Sequence, residues 1–314
     1  MRLPLFAALL TLATPALAQD REVSIPGPQG ALHGALLAPK QAKAVVVIIP
    51  GSGPTDRDGN NPLGVRAQNL KLLAEGLAQQ GVASIRIDKR GLFSSAAAIA
   101  NANAVTIADY AADARAWAAF AAKEAGLPCA WLVGHSEGGL VALAAGNAPT
   151  ICGQVLVSSL GRPYGEVIRA QIHANPANAA ILADADRALD ALQAGKTIDV
   201  RGFHPALQQL FNPAVQPFLI DAFRQNPREL AAALKGRVMI VQGQADLQVT
   251  QADAAALKGG APFAELLLVP GVNHVLKHVD GTPGDNLASY AIPDRPIARE
   301  VVDGIASFVT TKPQ

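Results

Sequence analysis

The sequence predicts an α/β protein in which helices cover one mostly parallel sheet and a helical segment interrupts the chain. Three observations predict this class: short β-branched runs alternate with helical stretches, at least one run is apolar throughout, and one long segment lacks any strand. The composition agrees, because half of the 314 residues are apolar and 16% are charged, enough to bury a sizeable core.

Eight short apolar runs are predicted to be strands. The first two flank a Pro- and Gly-rich turn and form a hairpin, and the third, 45–49, is apolar throughout, as in a strand buried on both faces. Helical stretches separate most of the later runs, which favours parallel pairing. The predicted strands are 23–25, 32–36, 45–49, 82–87, 130–133, 155–157, 238–241 and 266–269, and the predicted helices are 69–80, 107–125, 139–145 and 298–310.

The stretch 161–234 contains no convincing strand, and prolines divide it into short helical pieces. We expect a cap or lid inserted into a single domain that spans 19–314, because recurring apolar residues argue against a disordered linker. Those residues would suit the wall of an apolar pocket or the packing of a core equally well. They include Phe203, Leu207, Leu210, Phe211, Phe218, Leu219 and Phe223.

Residues 1–18 predict a secretory signal peptide. Arg2 gives a positive start, 5–12 is an apolar run too short to span a membrane as a stable helix, and Ala16-Leu17-Ala18 is a small-x-small cleavage pattern before Gln19. An uncleaved anchor is the alternative. The mature protein is expected in the periplasm of a double-membraned bacterium, or outside the cell otherwise.

The charge balance limits the class of ligand. Lys and Arg total 26 and Asp and Glu total 25, so no basic face for nucleic acid is expected and a small neutral molecule is the default ligand. The histidines follow neither H-E-x-x-H nor a Cys/His spacing, so no metal or other cofactor is expected. The histidines concerned, five of the six in the chain, are His33, His135, His173, His204 and His278.

The two cysteines, Cys129 and Cys152, each precede a predicted strand. If the two strands are parallel neighbours, both cysteines lie at the same end of the sheet. A disulfide is then expected in an oxidising compartment, and two free buried thiols are the alternative.

Gly134-His135-Ser136-Glu137-Gly138 carries the clearest chemical signal. The motif is G-x-S-x-G, and it follows a predicted strand and opens a predicted helix, which is the context of a nucleophile elbow. The two glycines let neighbouring backbones approach, and the serine hydroxyl is presented at the carboxyl edge of the sheet. Ser136 is therefore the predicted nucleophile, and the amide of Glu137 faces the developing negative charge.

A serine nucleophile needs a base and an acid that orients the base. Asp246 and His274 each follow a late strand, in the chain order Ser, acid, His, and they complete the predicted triad. Asp253 and His278 are weaker candidates, since Asp253 lies in a helical stretch and His278 lies further from its strand. If the motif had no catalytic role, Asp246 would only form a turn and His274 would only be a surface residue.

The loop Pro50-Gly51-Ser52-Gly53-Pro54 follows the strand 45–49 and is predicted to supply the second oxyanion amide. The main-chain N–H of Ser52 is the chosen donor, Gly53 is the alternative, and a plain tight turn would carry no function.

Taken together, these motifs resemble the α/β-hydrolase superfamily, and most closely bacterial hydrolases of the serine aminopeptidase and monoacylglycerol-lipase-like type. The resemblance covers nearly all of the mature chain. It implies the α/β-hydrolase fold, with a mostly parallel eight-stranded sheet flanked by helices, a cap between the sixth and seventh strands, and esterase-type acyl hydrolysis without a cofactor. The segments that carry it are 51–60, 86–91, 134–138, 243–246 and 273–274.

Two local features qualify the resemblance. Phe93 stands where relatives often have a glycine, so the shape of the loop after Gly91 is expected to differ. Five charged residues are expected to hold adjoining loops together, with substrate binding as the alternative. They are Asp56, Arg57, Asp58, Asp88 and Arg90.

The sequence therefore predicts a serine hydrolase that cleaves carboxylic esters of small or medium neutral substrates through an acyl-enzyme on Ser136. Peptidase, thioesterase or acyltransferase chemistry on the same triad is the alternative, and a non-catalytic binding module is a further one. Dehalogenation is disfavoured, because that chemistry needs a carboxylate at position 136.

Overall fold

The structure is a computed structural model that describes residues 19–311, and the predicted signal peptide at 1–18 lies outside the described residues. Its strands are β1 Arg21–Pro26, β2 Ala31–Leu37, β3 Ala44–Ile49, β4 Asn60–Asn61, β5 Val65–Arg66, β6 Val82–Ile87, β7 Ala130–His135, β8 Ile151–Val157, β9 Arg237–Gly243 and β10 Glu265–Val269. Its α-helices are α1 Asn69–Gln79, α2 Ile107–Ala125, α3 Glu137–Ala145, α4 Tyr164–Ala174, α5 Leu182–Gln193, α6 Pro205–Leu210, α7 Gln216–Phe223, α8 Pro227–Ala232, α9 Gln251–Gly260, α10 Pro283–Ala288 and α11 Arg299–Thr310.

The eight predicted strands form one sheet in the order β1-β2-β6-β3-β7-β8-β9-β10. The pairs from β6 to β10 along this order are parallel, and β2 runs against both of its neighbours. Every residue of β3, β6 and β7 is buried, because helices cover both faces of the sheet. The prediction of a mostly parallel eight-stranded sheet flanked by helices is confirmed.

Two apolar layers hold the helices on the sheet. On one face, α1 and α11 contribute Leu73 and Ile305 to a cluster with the strands. On the other face, α2 and α3 contribute Trp117 and Leu140. A sheet held on both faces is a rigid support for the loops at its carboxyl edge.

The segment between β8 and β9 consists of α4 to α8 with short connections. These helices pack around an apolar cluster of their own, and the aromatic residues of the segment lie mainly in that cluster. The cluster's buried members include Phe203, Leu207, Phe211, Leu219 and Phe223. Core packing, the second of the two roles considered for these side chains, is therefore what most of them do.

Three short elements, β4, β5 and α10, lie outside the predicted set. The hairpin of β4 and β5 lies in the connection between β3 and α1, and α10 lies between β10 and α11. Strands of two residues and a helix of six carry too few residues for a periodic signal.

A disulfide joins Cys129 and Cys152, and the two cysteines stand at the beginnings of the parallel neighbours β7 and β8. The bond closes a loop with a sequence separation of 23. A disulfide that closes a loop of this length stabilises the fold by about 3 kcal/mol, because it lowers the entropy of the unfolded chain.

Among residues 19–311, no helix is both long and apolar enough to cross a membrane.

Candidate active site

Ser136 occupies a tight elbow between β7 and α3. Its backbone has φ 56° and ψ −122°, a conformation that costs a non-glycine residue about 1–3 kcal/mol. The turn is possible because Gly134 and Gly138 have no side chains. A Cβ on Gly134 would lie 2.3 Å from the carbonyl oxygen of Gly138, and a Cβ on Gly138 would lie 2.3 Å from that of Ile49. The elbow thus depends on the glycine spacing of the motif.

His274 is held by Asp246 at the ends of two late strands. The Nδ1–H of His274 donates to Oδ2 of Asp246 over 2.8 Å, and both side chains are buried. The other carboxylate oxygen, Oδ1, accepts the backbone N–H groups of Gln248 and Val249 at 2.8 and 2.9 Å. The carboxylate therefore selects the tautomer of His274 that leaves Nε2 free to accept a proton.

The two weaker candidates lie in other contacts. Asp253 caps α9 and forms a two-bond pair with Arg162, at 3.1 and 2.9 Å. His278 is half exposed, and its Nε2 lies 3.2 Å from a carboxylate oxygen of Glu300. Neither residue lines the cavity that contains Ser136.

Ser136 and His274 line one cavity of about 140 Å³. No residue of 161–234 lines it. Within the described residues, neither the Oγ of Ser136 nor the Nε2 of His274 makes a hydrogen bond, an arrangement common in unliganded sites. The lining residues are Gly51, Ser52, Thr55, Gly59, Asn61, Val65, Asn69, His135, Ser136, Gln248, His274, Val275 and Tyr290.

The side chains around this cavity are largely polar. Gln248 donates to the hydroxyl of Tyr290 over 2.9 Å, and Asn61 donates to Thr55 over 3.2 Å. Asn69 is buried, and its Nδ2 has no hydrogen-bond partner among the described residues. An unpaired buried amide costs about 1–3 kcal/mol, and the residue that carries this one lines the cavity.

The loop after β3 passes directly beside Ser136. A Cβ on Gly51 would lie 3.2 Å from the Cβ of Ser136. Ser52 lines the cavity, whereas Gly53 does not. The N–H groups of Ser52 and Glu137 donate to no other described residue, so both are available to an oxyanion.

His135 is a neighbour of His274 that the sequence reasoning missed. Its Nε2–H donates to the carbonyl oxygen of His274 over 2.8 Å, and the two ring centroids are 4.8 Å apart. Burial, together with the neighbouring His274, lowers the pKa of His135 to about 4. Its position in the motif is one that G-x-S-x-G leaves unspecified, so no pattern identified it.

Lys89 was missed as well, although the charged residues on either side of it were considered. Its Nζ lies 3.0 Å from Oε1 of Glu137 and donates to the carbonyl oxygen of Gly51 over 2.7 Å. All three residues adjoin the Ser136 elbow or the loop after β3.

Three other charged residues of this region, Arg57, Asp88 and Arg90, make ion pairs outside the cavity. Arg57 lies 3.1 Å from Asp88 and 2.9 Å from Glu22. Arg90 lies 2.6 Å from Asp113 on α2. None of these side chains lines the cavity, so these contacts join loops to the body of the fold.

Phe93 has φ 46°, in the left-handed region that glycine occupies most easily. The backbone therefore has a conformation suited to glycine even though the residue is phenylalanine.

Over residues 19–311, no group of three or more His, Cys, Asp or Glu side chains is placed to hold a metal ion.

Comparisons with known proteins agree with this architecture. The esterase domain of a Rhodothermus marinus protein shares 16% identity over 93% of this chain and 98% of its own, with a TM-score of 0.52. A thermophilic esterase from Thermogutta terrifontis shares 17% identity over 94% of this chain and 100% of its own, with a TM-score of 0.54. An esterase from Exiguobacterium antarcticum shares 16% identity over 92% of this chain and 99% of its own, with a TM-score of 0.54. At these identities the likeness concerns the fold.

No curated protein sequence matches the chain significantly. The sequence profile described as the alpha/beta hydrolase family matches residues 45–288, which include the elbow, Asp246 and His274. The chain belongs to the alpha/beta hydrolase family.

Proposed function

We propose that this protein is a serine hydrolase that cleaves carboxylic esters of small or medium neutral substrates through an acyl-enzyme on Ser136. The observation that carries the proposal is the pairing of His274 with Asp246 in the cavity that also contains Ser136. Esterases among the structures of similar fold support the same reaction class.

In the first half-reaction, the Oγ of Ser136 attacks the ester carbonyl carbon while Nε2 of His274 takes the hydroxyl proton. The N–H groups of Ser52 and Glu137 donate to the oxyanion of the tetrahedral intermediate. The bond to the leaving oxygen then breaks, and His274 gives its proton to the departing alcohol. Water enters by the same route, with His274 as its base, and releases the acid.

The cavity favours short acyl groups. Its volume of about 140 Å³ is close to that of an engineered protein cavity, about 150 Å³, that holds one benzene ring. We expect p-nitrophenyl acetate and butyrate to be hydrolysed with a higher kcat/KM than the octanoate.

The deciding experiment compares the wild type with Ser136→Ala on these three esters and on a fluorophosphonate label. Ser307→Ala, at an exposed serine of α11, is the matched control and should behave as the wild type. Ser136→Ala should lose turnover by about 10⁴-fold or more, and labelling should vanish. Labelling without ester turnover would move the assignment to peptidase, thioesterase or acyltransferase chemistry. Folded protein with neither signal would leave the binding-module alternative.

We further propose that the mature protein is a single domain over 19–314, with a cap insertion at about 161–234, and that it works in the periplasm or outside the cell. The disulfide between Cys129 and Cys152 supports an oxidising compartment. The test is the N-terminal sequence of the protein expressed with its full chain. We expect it to begin at Gln19, and a chain that still begins at Met1 in the cytoplasmic fraction would refute the export.

A further inference from the structure

A buried ion pair lies directly behind the two amides proposed for the oxyanion hole. The side chains of Lys89 and Glu137 are 3% and 1% exposed, and Nζ lies 3.0 Å from Oε1. Removing two such charges from water carries a large free-energy cost, which apolar side chains filling the same space would avoid. The pair therefore has to be explained by what its atoms touch.

Lys89 reaches the first oxyanion amide through the peptide bond. Its Nζ donates to the carbonyl oxygen of Gly51 over 2.7 Å. That carbonyl and the N–H of Ser52 belong to the same planar peptide group, so a bond that holds the oxygen also sets the direction of the N–H. An ammonium on the carbonyl also polarises the peptide and makes its N–H a stronger donor.

Lys89 reaches the second amide through Glu137. The backbone N–H of Glu137 is the other oxyanion donor, and its side chain is the partner of Nζ. One ammonium group is thus bonded to the loop after β3 and to the first residue of α3.

We infer that Lys89 is a positioning residue that joins the two halves of the oxyanion hole, with Glu137 as its counter-ion. The inference rests on the proposed function, because it assigns a role within the oxyanion hole of that reaction. Lys89 does not line the cavity and acts through the Gly51–Ser52 peptide and Glu137.

Two tyrosines enclose the pair. The Nζ of Lys89 lies 5.3 Å from the ring centroid of Tyr110, within the range of a cation–π contact. Tyr164, the first residue of α4, is partly buried, and its phenol lies beside Ser52 and Glu137. Desolvation together with the Glu137 carboxylate raises the pKa of that phenol. Tyr110 of α2 and Tyr164 of α4 thus both adjoin the pair, whose burial strengthens its electrostatic effect on both amides.

The neighbouring residue provides a matched control. Arg90 and Asp113 form a second buried ion pair at 2.6 Å, and neither residue touches Gly51, Ser52 or Glu137. Arg90→Met should therefore lower stability with little change in kcat, if removal of a buried cation has no effect of its own on the chemistry.

The test compares Lys89→Met, the double variant Lys89→Met/Glu137→Gln, and Arg90→Met in kcat and KM on p-nitrophenyl butyrate. We expect kcat of Lys89→Met to fall about 10- to 100-fold with KM within about threefold, because the oxyanion exists only after attack. The double variant should show the same loss, and it leaves no charge buried alone if Lys89→Met fails to fold. Arg90→Met should keep kcat within about twofold.

Inhibition by a short alkyl trifluoromethyl ketone distinguishes a role in the oxyanion hole from a purely structural role. The hydroxyl of Ser136 adds to the ketone carbonyl and forms a tetrahedral oxyanion, so the inhibition constant should rise in Lys89→Met by the factor by which kcat falls. The matching trifluoromethyl alcohol, which forms no oxyanion, should bind as it does to the wild type. The rate of fluorophosphonate labelling should fall in parallel.

The inference is wrong if a folded Lys89→Met, or the double variant, keeps the wild-type kcat and ketone affinity. It is also wrong if Arg90→Met loses as much kcat, or if the alcohol weakens along with the ketone. Failure of the proposed function would look different: the wild type would neither hydrolyse the esters nor react with the fluorophosphonate at Ser136.

Discussion

The loops at the carboxyl edge of the sheet and the proposed helical insertion at about 161–234 are built in different ways. Each edge loop presents one chemical group and fixes it by bonds within or next to that loop, as Asp246 shows with its two backbone N–H donors. The insertion instead packs around its own apolar cluster and contributes no lining residue to the cavity. Its nearest contribution to the site is the phenol of Tyr164, beside Ser52 and Glu137.

We expect the edge loops to determine turnover and the insertion to contribute mainly to stability. Geometry at the edge loops decides the chemistry, because a catalytic group displaced by 1 Å loses a large part of its effect. Packing of the apolar cluster in the insertion contributes to the stability of that segment. Substitutions in the two regions should therefore separate loss of turnover from loss of stability.

Asp246→Asn should produce the largest effect. The amide cannot select the tautomer of His274 that leaves Nε2 free, so kcat should fall about 10⁴-fold with little change in the fold. Asp253→Asn is the matched control, since Asp253 is also buried but pairs with Arg162. Steady-state kinetics on p-nitrophenyl butyrate measures both, and a larger loss in Asp253→Asn would reverse the assignment of the acid.

Phe211→Ala should be the next largest change, and in stability rather than turnover. Phe211 is fully buried in the cluster of the insertion, so its truncation should cost about 3–5 kcal/mol of unfolding free energy. The adjacent Leu210 is 38% exposed, and Leu210→Ala should stay within about 0.5 kcal/mol. Urea unfolding measures these values. A fall of kcat/KM in folded Phe211→Ala of more than about tenfold would show that the insertion also shapes the chemistry.

His135 should link acidity to the stability of the edge loops. Its folded-state pKa of about 4 lies below its ordinary value of 6.5, so between these pH values the unfolded chain binds the extra proton. His135 therefore lowers stability progressively as pH falls from 6.5 to 4, by up to about 3 kcal/mol. Between pH 7 and pH 4, the wild type should lose up to about 3 kcal/mol more unfolding free energy than His135→Asn, as measured by urea unfolding. Equal losses in the two proteins would contradict the role given to His135.

The fold and the candidate triad were predictable because their signals are local. The continuous apolar run of β3 indicates a strand buried on both faces, and the glycines on either side of Ser136 are required by close backbone contacts. Asp246 and His274 could be selected because parallel strands place their carboxyl ends at one edge. The disulfide remained one of two alternatives until β7 and β8 were seen as neighbours.

The rest depends on contacts between residues far apart in the chain. Lys89 and Glu137 are 48 positions apart, and His135 and His274 are 139 apart. The cavity wall comes mainly from the connection after β3 and from the loops near Gln248 and Tyr290, where no periodic pattern exists. The sequence by itself determined the sheet, the elbow and the order of the candidate triad, because these follow from periodicity and glycine spacing. Only the tertiary structure decided which buried side chains support them, because that depends on which atoms the finished sheet brings within hydrogen-bond distance.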